Sequence, residues 1–413
     1  MNTHILSTRS ASQIMQLEDQ FGAHNYHPLP VVLERGEGVW VWDTDGKKYL
    51  DFLSAYSAVN QGHCHPRLVE ALITQARKLT LSSRAFYNDK LGPYEAMMSR
   101  LFGYEKLLPM NSGAEAVETA IKLCRKWAYH KKGIAENKAK IIVLEGNFHG
   151  RTLSAVSMST DPSSYQGFGP YLPGFVKLPF NHPEALQQAL ADPEVAGLLL
   201  EPIQGEAGVQ ILQDGYLKNA ETWCREKNVL LIADEIQTGL ARTGKMLACD
   251  HEEVRPDILI LGKALSGGLL PVSAVMADNP IMLCIEPGQH GSTFGGNPLA
   301  CAVAMEAMQV LMDEDLAANA HQMGLRFRKG LLGIQSRNPV IREVRGKGLM
   351  NAIEIDTRED SQLAWELCLA MAERGLLAKP THGNIIRLAP PLVITEEQID
   401  LALEIIGGCV SKI

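Results

Sequence analysis

The sequence has no Cys-x-x-Cys pair: its eight cysteines, Cys64, Cys124, Cys224, Cys249, Cys284, Cys301, Cys368 and Cys409, are scattered through 413 residues. That distribution suggests neither a zinc site nor a disulfide framework, and the thiols read as small buried hydrophobes of a reducing compartment. The tightest group of ligand types, His63-Cys64-His65, puts residues 63 and 65 on one face of an extended segment and 64 on the other, and no distant pair completes it. No metal is expected. Long apolar runs are also missing: Val195 to Leu200 and Val229 to Ala233 have the length of strands, far short of the ~20 residues of a spanning helix, so no membrane crossing follows. Nor is there an excess of positive charge. With 39 basic against 47 acidic residues and a net charge of -8, no overall field draws the chain to nucleic acid or anionic lipid. The first twenty residues hold Arg9 as their one Lys or Arg and include Glu18 and Asp19. That fits neither a secretory signal nor an Arg-rich transit peptide, so the cytoplasm is the expected location. Repeats and low-complexity tracts are absent too, which removes solenoid architectures.

What is present is the composition of a folded protein, 46% hydrophobic and 21% charged, with length enough for two domains. Val39-Trp40-Val41-Trp42 and Lys48-Tyr49-Leu50-Asp51-Phe52 flank an Asp45-Gly46 turn, which predicts an antiparallel hairpin. From about residue 105 to 280 short apolar strands (Ile141 to Leu144, Phe175 to Leu178, Leu198 to Leu200, Val229 to Ala233, Ile258 to Leu261) alternate with amphipathic helices. This predicts an α/β fold with a mainly parallel sheet flanked by helices. After Pro298 come helices from Leu299 to about Met312 and around Asn319 to Leu332. Strands near Leu349 to Ile355 and Ile385 to Leu388 follow, then a last helix capped by Thr395 and Gln398. The expected division is an N-terminal segment 1–50 joining the small domain, a large domain 51–298, and a smaller α+β domain 299–413.

Several segments could carry chemistry. Ser112 and Glu115 have capping-box spacing ahead of a helix with Val117, Ala120, Ile121, Cys124 and Ala128 on one face. Gly113 at its start would let an anion approach the free N–H groups, although taken alone the segment is better read as a capped helix. One buried strand ends in Asp234-Glu235, and a second is followed by Gly262-Lys263. An acid and a lysine at neighbouring strand ends can face each other across a crevice, the lysine forming an imine with an aldehyde and the acid pairing with a protonated pyridine nitrogen. The alternative is a salt bridge at a sheet edge. Gly239 to Lys245 matches the G-x-x-x-x-G-K core of a nucleotide-binding loop. It lacks the following Ser or Thr and a good helix, which leaves nucleotide binding a remote alternative. Phe148 offers a stacking face and Arg151 a carboxylate fork. Glu201 and Glu206 flank another strand end, and residues 290–298 form a Gly-rich loop with Ser292 and Thr293.

These segments, in this order from about residue 22 to the C-terminus, resemble the class III aminotransferases of the fold type I pyridoxal-phosphate superfamily. Ala23-His24-Asn25-Tyr26-His27-Pro28-Leu29-Pro30, Ser57 through Pro66, and Ala378-Lys379-Pro380-Thr381-His382-Gly383 are most similar to the branch acting on the distal amine of ornithine. The resemblance implies pyridoxal 5'-phosphate as cofactor, with Lys263 as Schiff-base lysine and proton shuttle. It also implies Asp234 on the pyridine nitrogen, Gln237 near the phenolic oxygen, Phe148 against the ring and Gly113 and Ala114 at the phosphate. Ser292 and Thr293 would reach the phosphate of a neighbouring subunit in a homodimer with shared sites. For substrates, L-ornithine and 2-oxoglutarate, it implies Tyr26 and Arg151 at the far end of ornithine, Tyr56 lining the channel, and Arg387 for the oxo acid, masked by Glu206 while ornithine is bound. His149 stands where some animal members of that branch carry tryptophan and many other class III enzymes carry histidine, which keeps acetylornithine and 4-aminobutyrate as alternative substrates.

Overall fold

Alternating apolar residues with no polar face leave the central strands nowhere to go but the interior. In the computed structural model, which describes residues 10–413, they form a seven-stranded sheet. Its strands are β1 (Lys106–Met110), β2 (Lys140–Leu144), β3 (Phe175–Leu178), β4 (Val195–Leu200), β5 (Leu230–Asp234), β6 (Ile258–Leu261) and β7 (Ser273–Ala277). The spatial order is β1-β7-β6-β5-β4-β2-β3. β7 runs antiparallel to both neighbours, and every other pairing is parallel. Successive residues feed opposite faces of the sheet. Leu231, Ala233, Leu259 and Leu261 join one apolar core, whereas Leu230, Ile232, Ile258 and Ile260 join a second. This is the doubly covered, mainly parallel arrangement expected of the α/β region.

The register brings the polar strand ends into line. Ala233 pairs with Leu200 and Asp234 with Ile260, so Glu201, Asp234 and Lys263 emerge side by side at the carboxyl edge, where open α/β sheets bind ligands. The helix α1 (Gly113–Trp127) enters at the same edge. Its Ser112 side chain accepts from Glu115 N–H, while Glu115 accepts from the Ser112 N–H, completing the capping box.

The hairpin Trp40–Asp43 and Lys48–Asp51 forms as expected, with Asp43 Oδ1 accepting from the N–H groups of Asp45 and Lys47 and Gly46 at φ +82°. Leu376–Leu377 adds to it in parallel, Leu376 opposite Leu50. The C-terminal part holds an antiparallel four-stranded sheet (Ile341–Lys347, Met350–Ile355, Ile385–Leu388, Lys379–Thr381) and helices Leu316–Gln335, Leu363–Glu373 and Glu396–Val410. Helix Pro298–Asp313, capped by Asn297, packs on helices Pro66–Ala76 and Leu91–Phe102. Arg9 and the other residues of the expected N-terminal segment before Ser10 lie outside the described residues.

The nucleotide-loop reading of Gly239 to Lys245 is corrected. No α-helix follows Lys245, only the 3-10 turn Cys249–Glu252. Arg242 is wholly buried and donates to the carbonyls of Leu349 at 2.9 Å and Pro390 at 2.6 Å and to Asn60 Oδ1 at 2.6 Å. The segment is a staple between distant parts of the chain. The histidines of the 63–65 cluster pair with carboxylates, His63 with Asp51 at 2.7 Å and His65 with Glu314 at 2.9 Å. Among the described residues no His/Cys/Asp/Glu group could hold a metal, and no helix is long and apolar enough to cross a membrane. The cysteines are all free and buried except Cys64.

Candidate functional site

The carboxyl edge of the sheet opens into a cavity of about 180 Å³ lined by Gly113, Ala114, Phe148, His149, Gly150, Glu201, Glu206, Asp234, Ile236, Gln237 and Lys263. Lys263 follows β6 in the left-handed region, at φ +44°, a conformation that costs a non-glycine residue of order 1–3 kcal/mol and persists only where the surroundings impose it. Burial pushes its amine below the usual lysine range, against the pull of the Glu206 and Asp234 charges. The shift favours the form of the amine that can take a proton.

Asp234 ends β5. Its Oδ2 lies 2.8 Å from His149 Nδ1, and its Oδ1 accepts from Ile236 N–H at 3.1 Å. Burial alone would lower the His149 pKa, but the hydrogen bond and charge of Asp234, with the charge of Glu201, outweigh it and the net direction is upward. Both Asp234 oxygens are thereby held in place at the cavity wall.

At the head of α1 the first N–H groups have no intrahelical acceptor. Ser112 satisfies that of Glu115, which leaves the backbone of Gly113 and Ala114 lining the cavity as an anion seat. A Cβ on Gly113 would stand 3.0 Å from Ile236 Cδ1, so the glycine also makes room for the apolar wall that Ile236 forms opposite the helix.

Gln237 donates to Glu206 Oε1 at 3.1 Å, and Gly205 gives its side chain room, since a Cβ there would fall 1.3 Å from Gln237 Oε1. Glu206 is the hinge of the second half of the site. Its Oε1 accepts from Arg387 Nη1 at 2.6 Å, and its backbone carbonyl from Thr381 at 2.9 Å. Burial would raise its pKa, but the charge and hydrogen bond of Arg387 reverse that and lower it. Arg387 is itself 3% exposed, its guanidinium 4.8 Å from the ring centroid of Tyr56. One carboxylate and one aromatic face thus enclose a buried cation beside Lys263.

Of the expected site residues, the cavity gathers Gly113, Ala114, Phe148, Glu206, Asp234, Gln237 and Lys263, and Arg387 and Tyr56 adjoin it through Glu206. Arg151 is exposed, donating to Ser164 Oγ at 3.0 Å with its guanidinium 5.3 Å from the Phe148 ring centroid. Tyr26 is 72% exposed. Ser292 and Thr293 stand apart, lining a surface groove with Leu81, Ser82, Ser83 and Arg84. Four wall residues had no assigned role: His149, Gly150, Ile236 and Glu201. Glu201 carried a usable signal, since it follows β4 just as the acid of the adjacent strand closes β5.

Glu201 Oε1 accepts from Phe148 N–H at 2.8 Å, and burial pushes its carboxyl up to about 8. A raised folded-state pKa contributes stability that is full below the unfolded value near 4.5 and is lost as pH rises through about 8. Glu201→Gln, which mimics the protonated form, is expected to fold normally and to lose less thermal stability than wild type between about pH 5 and pH 9. Parallel melting curves against pH would contradict this.

The donor set fits a pyridoxal phosphate group. It combines an anion seat at a helix head, a carboxylate held by a histidine, apolar walls at Phe148 and Ile236, and a buried lysine whose pKa is lowered by burial.

The family description "Aminotransferase class-III" matches residues 21–410. A rat protein named ornithine aminotransferase, mitochondrial, is 60% identical over 398 residues, 96% of this chain and 90% of its own length. An Emericella nidulans protein named ornithine aminotransferase, without a location, is 55% identical over 99% of this chain and 92% of its own. A crystal structure of ornithine aminotransferase from Toxoplasma gondii superposes with a TM-score of 0.96 at 49% identity, covering 98% of this chain and 96% of that one. One from Elizabethkingia anophelis, described as an acetylornithine aminotransferase, superposes with a TM-score of 0.91 at 58% identity, over 98% and 100%.

Proposed function

The chain belongs to the class III aminotransferases, fold type I pyridoxal-phosphate enzymes, and from that premise we propose that it moves the δ-amino group of L-ornithine to 2-oxoglutarate. The products are glutamate 5-semialdehyde, which closes to pyrroline-5-carboxylate, and glutamate. The observation that carries the reading is the Glu206–Arg387 pair at 2.6 Å under Tyr56.

Pyridoxal 5'-phosphate, when bound, supplies an aldehyde for the amine and a pyridine ring that accepts electrons from the reacting carbon. The chain supplies everything else. Gly113 and Ala114 would hold the phosphate, Phe148 the ring face, Gln237 the phenolic oxygen, and Asp234 keeps a proton on the ring nitrogen. The Lys263 amine would take the proton from the δ-carbon and carry it as the general acid–base group of the site. Tyr26 and Arg151 would hold the α-amino acid end of ornithine far from the chemistry, with Tyr56 along the channel. A reaction with a second, dicarboxylate substrate needs one more cation near the lysine. Arg387 is that cation, and Glu206 neutralises it while a substrate without a carboxylate at that position is bound. Ser292 and Thr293, on a surface groove, would complete the phosphate site of a second subunit in a homodimer.

The domain division proposed with this reading is 1–50, 51–298 and 299–413, with the first segment attached to the last through the Leu50–Leu376 pairing. Acetylornithine is the second reading, supported by the description of the 58%-identical Elizabethkingia structure. Rates with 2-oxoglutarate and ornithine, acetylornithine or 4-aminobutyrate, with the cyclised product trapped, decide between them: turnover of acetylornithine without ornithine would overturn the proposal.

Breaking the mask should separate the half-reactions. Glu206→Gln is expected to slow the ornithine half-reaction about tenfold or more, because it leaves an unpaired buried cation beside the amine substrate, while the oxo-acid half-reaction stays within about threefold. Rapid mixing with each substrate alone reads both. An unchanged ornithine half-reaction and unchanged choice of amine would remove the masking role.

A further inference from the structure

Tyr56 sits in the most unusual backbone of the site. Ser54, Ala55, Tyr56 and Ser57 all have positive φ, at 51°, 46°, 61° and 70°, and none is glycine or asparagine. One left-handed turn of four such residues is costly and must be held from outside. The hold is visible. Asp51 Oδ1 accepts from Leu53 N–H at 2.8 Å and Ser54 N–H at 2.9 Å, fixing the entry to the turn, while Asp51 Oδ2 is bound by His63 Nε2 at 2.7 Å. His63 is fixed in turn by the strand Leu33–Glu37 and by Gly38 just after it. Its backbone exchanges hydrogen bonds with Gly38, and its side chain lies so close over Gly36 that a Cβ there would stand 2.9 Å from His63 Cβ and Cγ. The turn packs on the segment Lys263–Ser266, and its product is the Tyr56 ring on the Arg387 guanidinium.

We propose that Asp51 and His63 are positioning residues that hold the left-handed turn and so seat Tyr56 on Arg387, setting the preference of the site for a distal amine over a dicarboxylate. Neither touches the cavity, and both act through Tyr56. The inference rests on the proposed two-substrate reaction and names the device behind its selectivity. If Tyr56 is seated loosely, the channel loses a wall for the distal-amine substrate while Arg387 is less covered, so the two substrates respond in opposite directions. A merely structural defect would lower both together.

The test is the ratio of kcat/KM for ornithine to that for glutamate, each measured in its own half-reaction on the loaded enzyme, with thermal melting as a second readout. Asp51→Asn is expected to lower the ratio about tenfold, in the range of one lost hydrogen bond to a charged group. His63→Gln should lower it in the same direction by less. Adding Ala55→Gly, an exposed position where glycine removes the left-handed strain, should recover part of the ratio and of the melting temperature in Asp51→Asn. In a Tyr56→Ala background Asp51→Asn should change the ratio no further. Equal losses for both substrates, no recovery by Ala55→Gly, or a full effect without Tyr56 would each overturn the proposal. Should the wild type prefer another ω-amine, the ornithine reading falls, and the same ratio taken with that amine still decides the role of Asp51.

Discussion

Lys263→Ala is expected to reduce turnover by at least about 10⁴-fold, the upper range of a lost general acid–base group, and to remove the absorbance of lysine-bound cofactor as well. The two losses have one cause. Lys263 is the amine at the cavity wall held below its ordinary pKa by burial, and the proposed reading makes it both the covalent anchor and the proton carrier. Lys263→Arg would not rescue it, since a guanidinium keeps its proton. An added small primary amine should restore part of the proton transfer but not the anchor. Measurable turnover within about tenfold of wild type in Lys263→Ala would contradict the assignment.

Asp234→Asn is expected to separate those two readouts. With Lys263 intact the cofactor still attaches and its absorbance remains. The rate should fall by about 10³-fold, because a neutral amide cannot hold a proton on the ring nitrogen by charge and the electron sink is lost. His149 responds too: its upward shift depends on Asp234, so its pKa is expected to fall in the variant, where that carboxylate no longer opposes burial. A single-turnover experiment with ornithine gives the rate, and the absorbance before mixing gives occupancy. Loss of occupancy equal to the loss of rate would mean that Asp234 only binds the cofactor.

The legible part of the molecule was the part governed by local rules. Apolar runs bounded by Gly, Asp and Asn announce β5 and β6, and the charged residue that ends or follows each run points at the crevice, which makes Asp234 and Lys263 readable. The capping box at Ser112 and Glu115 announces α1 in the same way. Two strands of the seven-stranded sheet escaped. β1 contains Pro109, which ordinarily argues against a strand, but β1 pairs only with β7, opposite Ala274, and an edge strand tolerates the missing N–H. β7 is the run Ser273-Ala-Val-Met-Ala, whose mostly small side chains do not stand out as an apolar strand.

The less legible features depend on long-range contact. Ser54 to Ser57 carry no glycine, so nothing in their types signals a left-handed turn. Its cost is met by Asp51 and by His63, 12 residues beyond Asp51. Glu201 ends its strand as Asp234 does, but its raised pKa comes from complete burial, which is a property of the packed site. Ile236 has room at the wall because α1 begins with glycine. The resemblance to a family supplied the pairing of Glu206 with Arg387, 181 residues apart, which spacing alone could not.

The central claim is that this site takes the distal nitrogen of ornithine and hands it to 2-oxoglutarate, and the most direct test follows that nitrogen. The enzyme is incubated with 2-oxoglutarate and ornithine labelled with ¹⁵N at the δ-position only, and the glutamate formed is analysed by mass. Fully labelled glutamate is expected, together with pyrroline-5-carboxylate. Unlabelled glutamate, from transfer of the α-amine, or no glutamate at all, would contradict it.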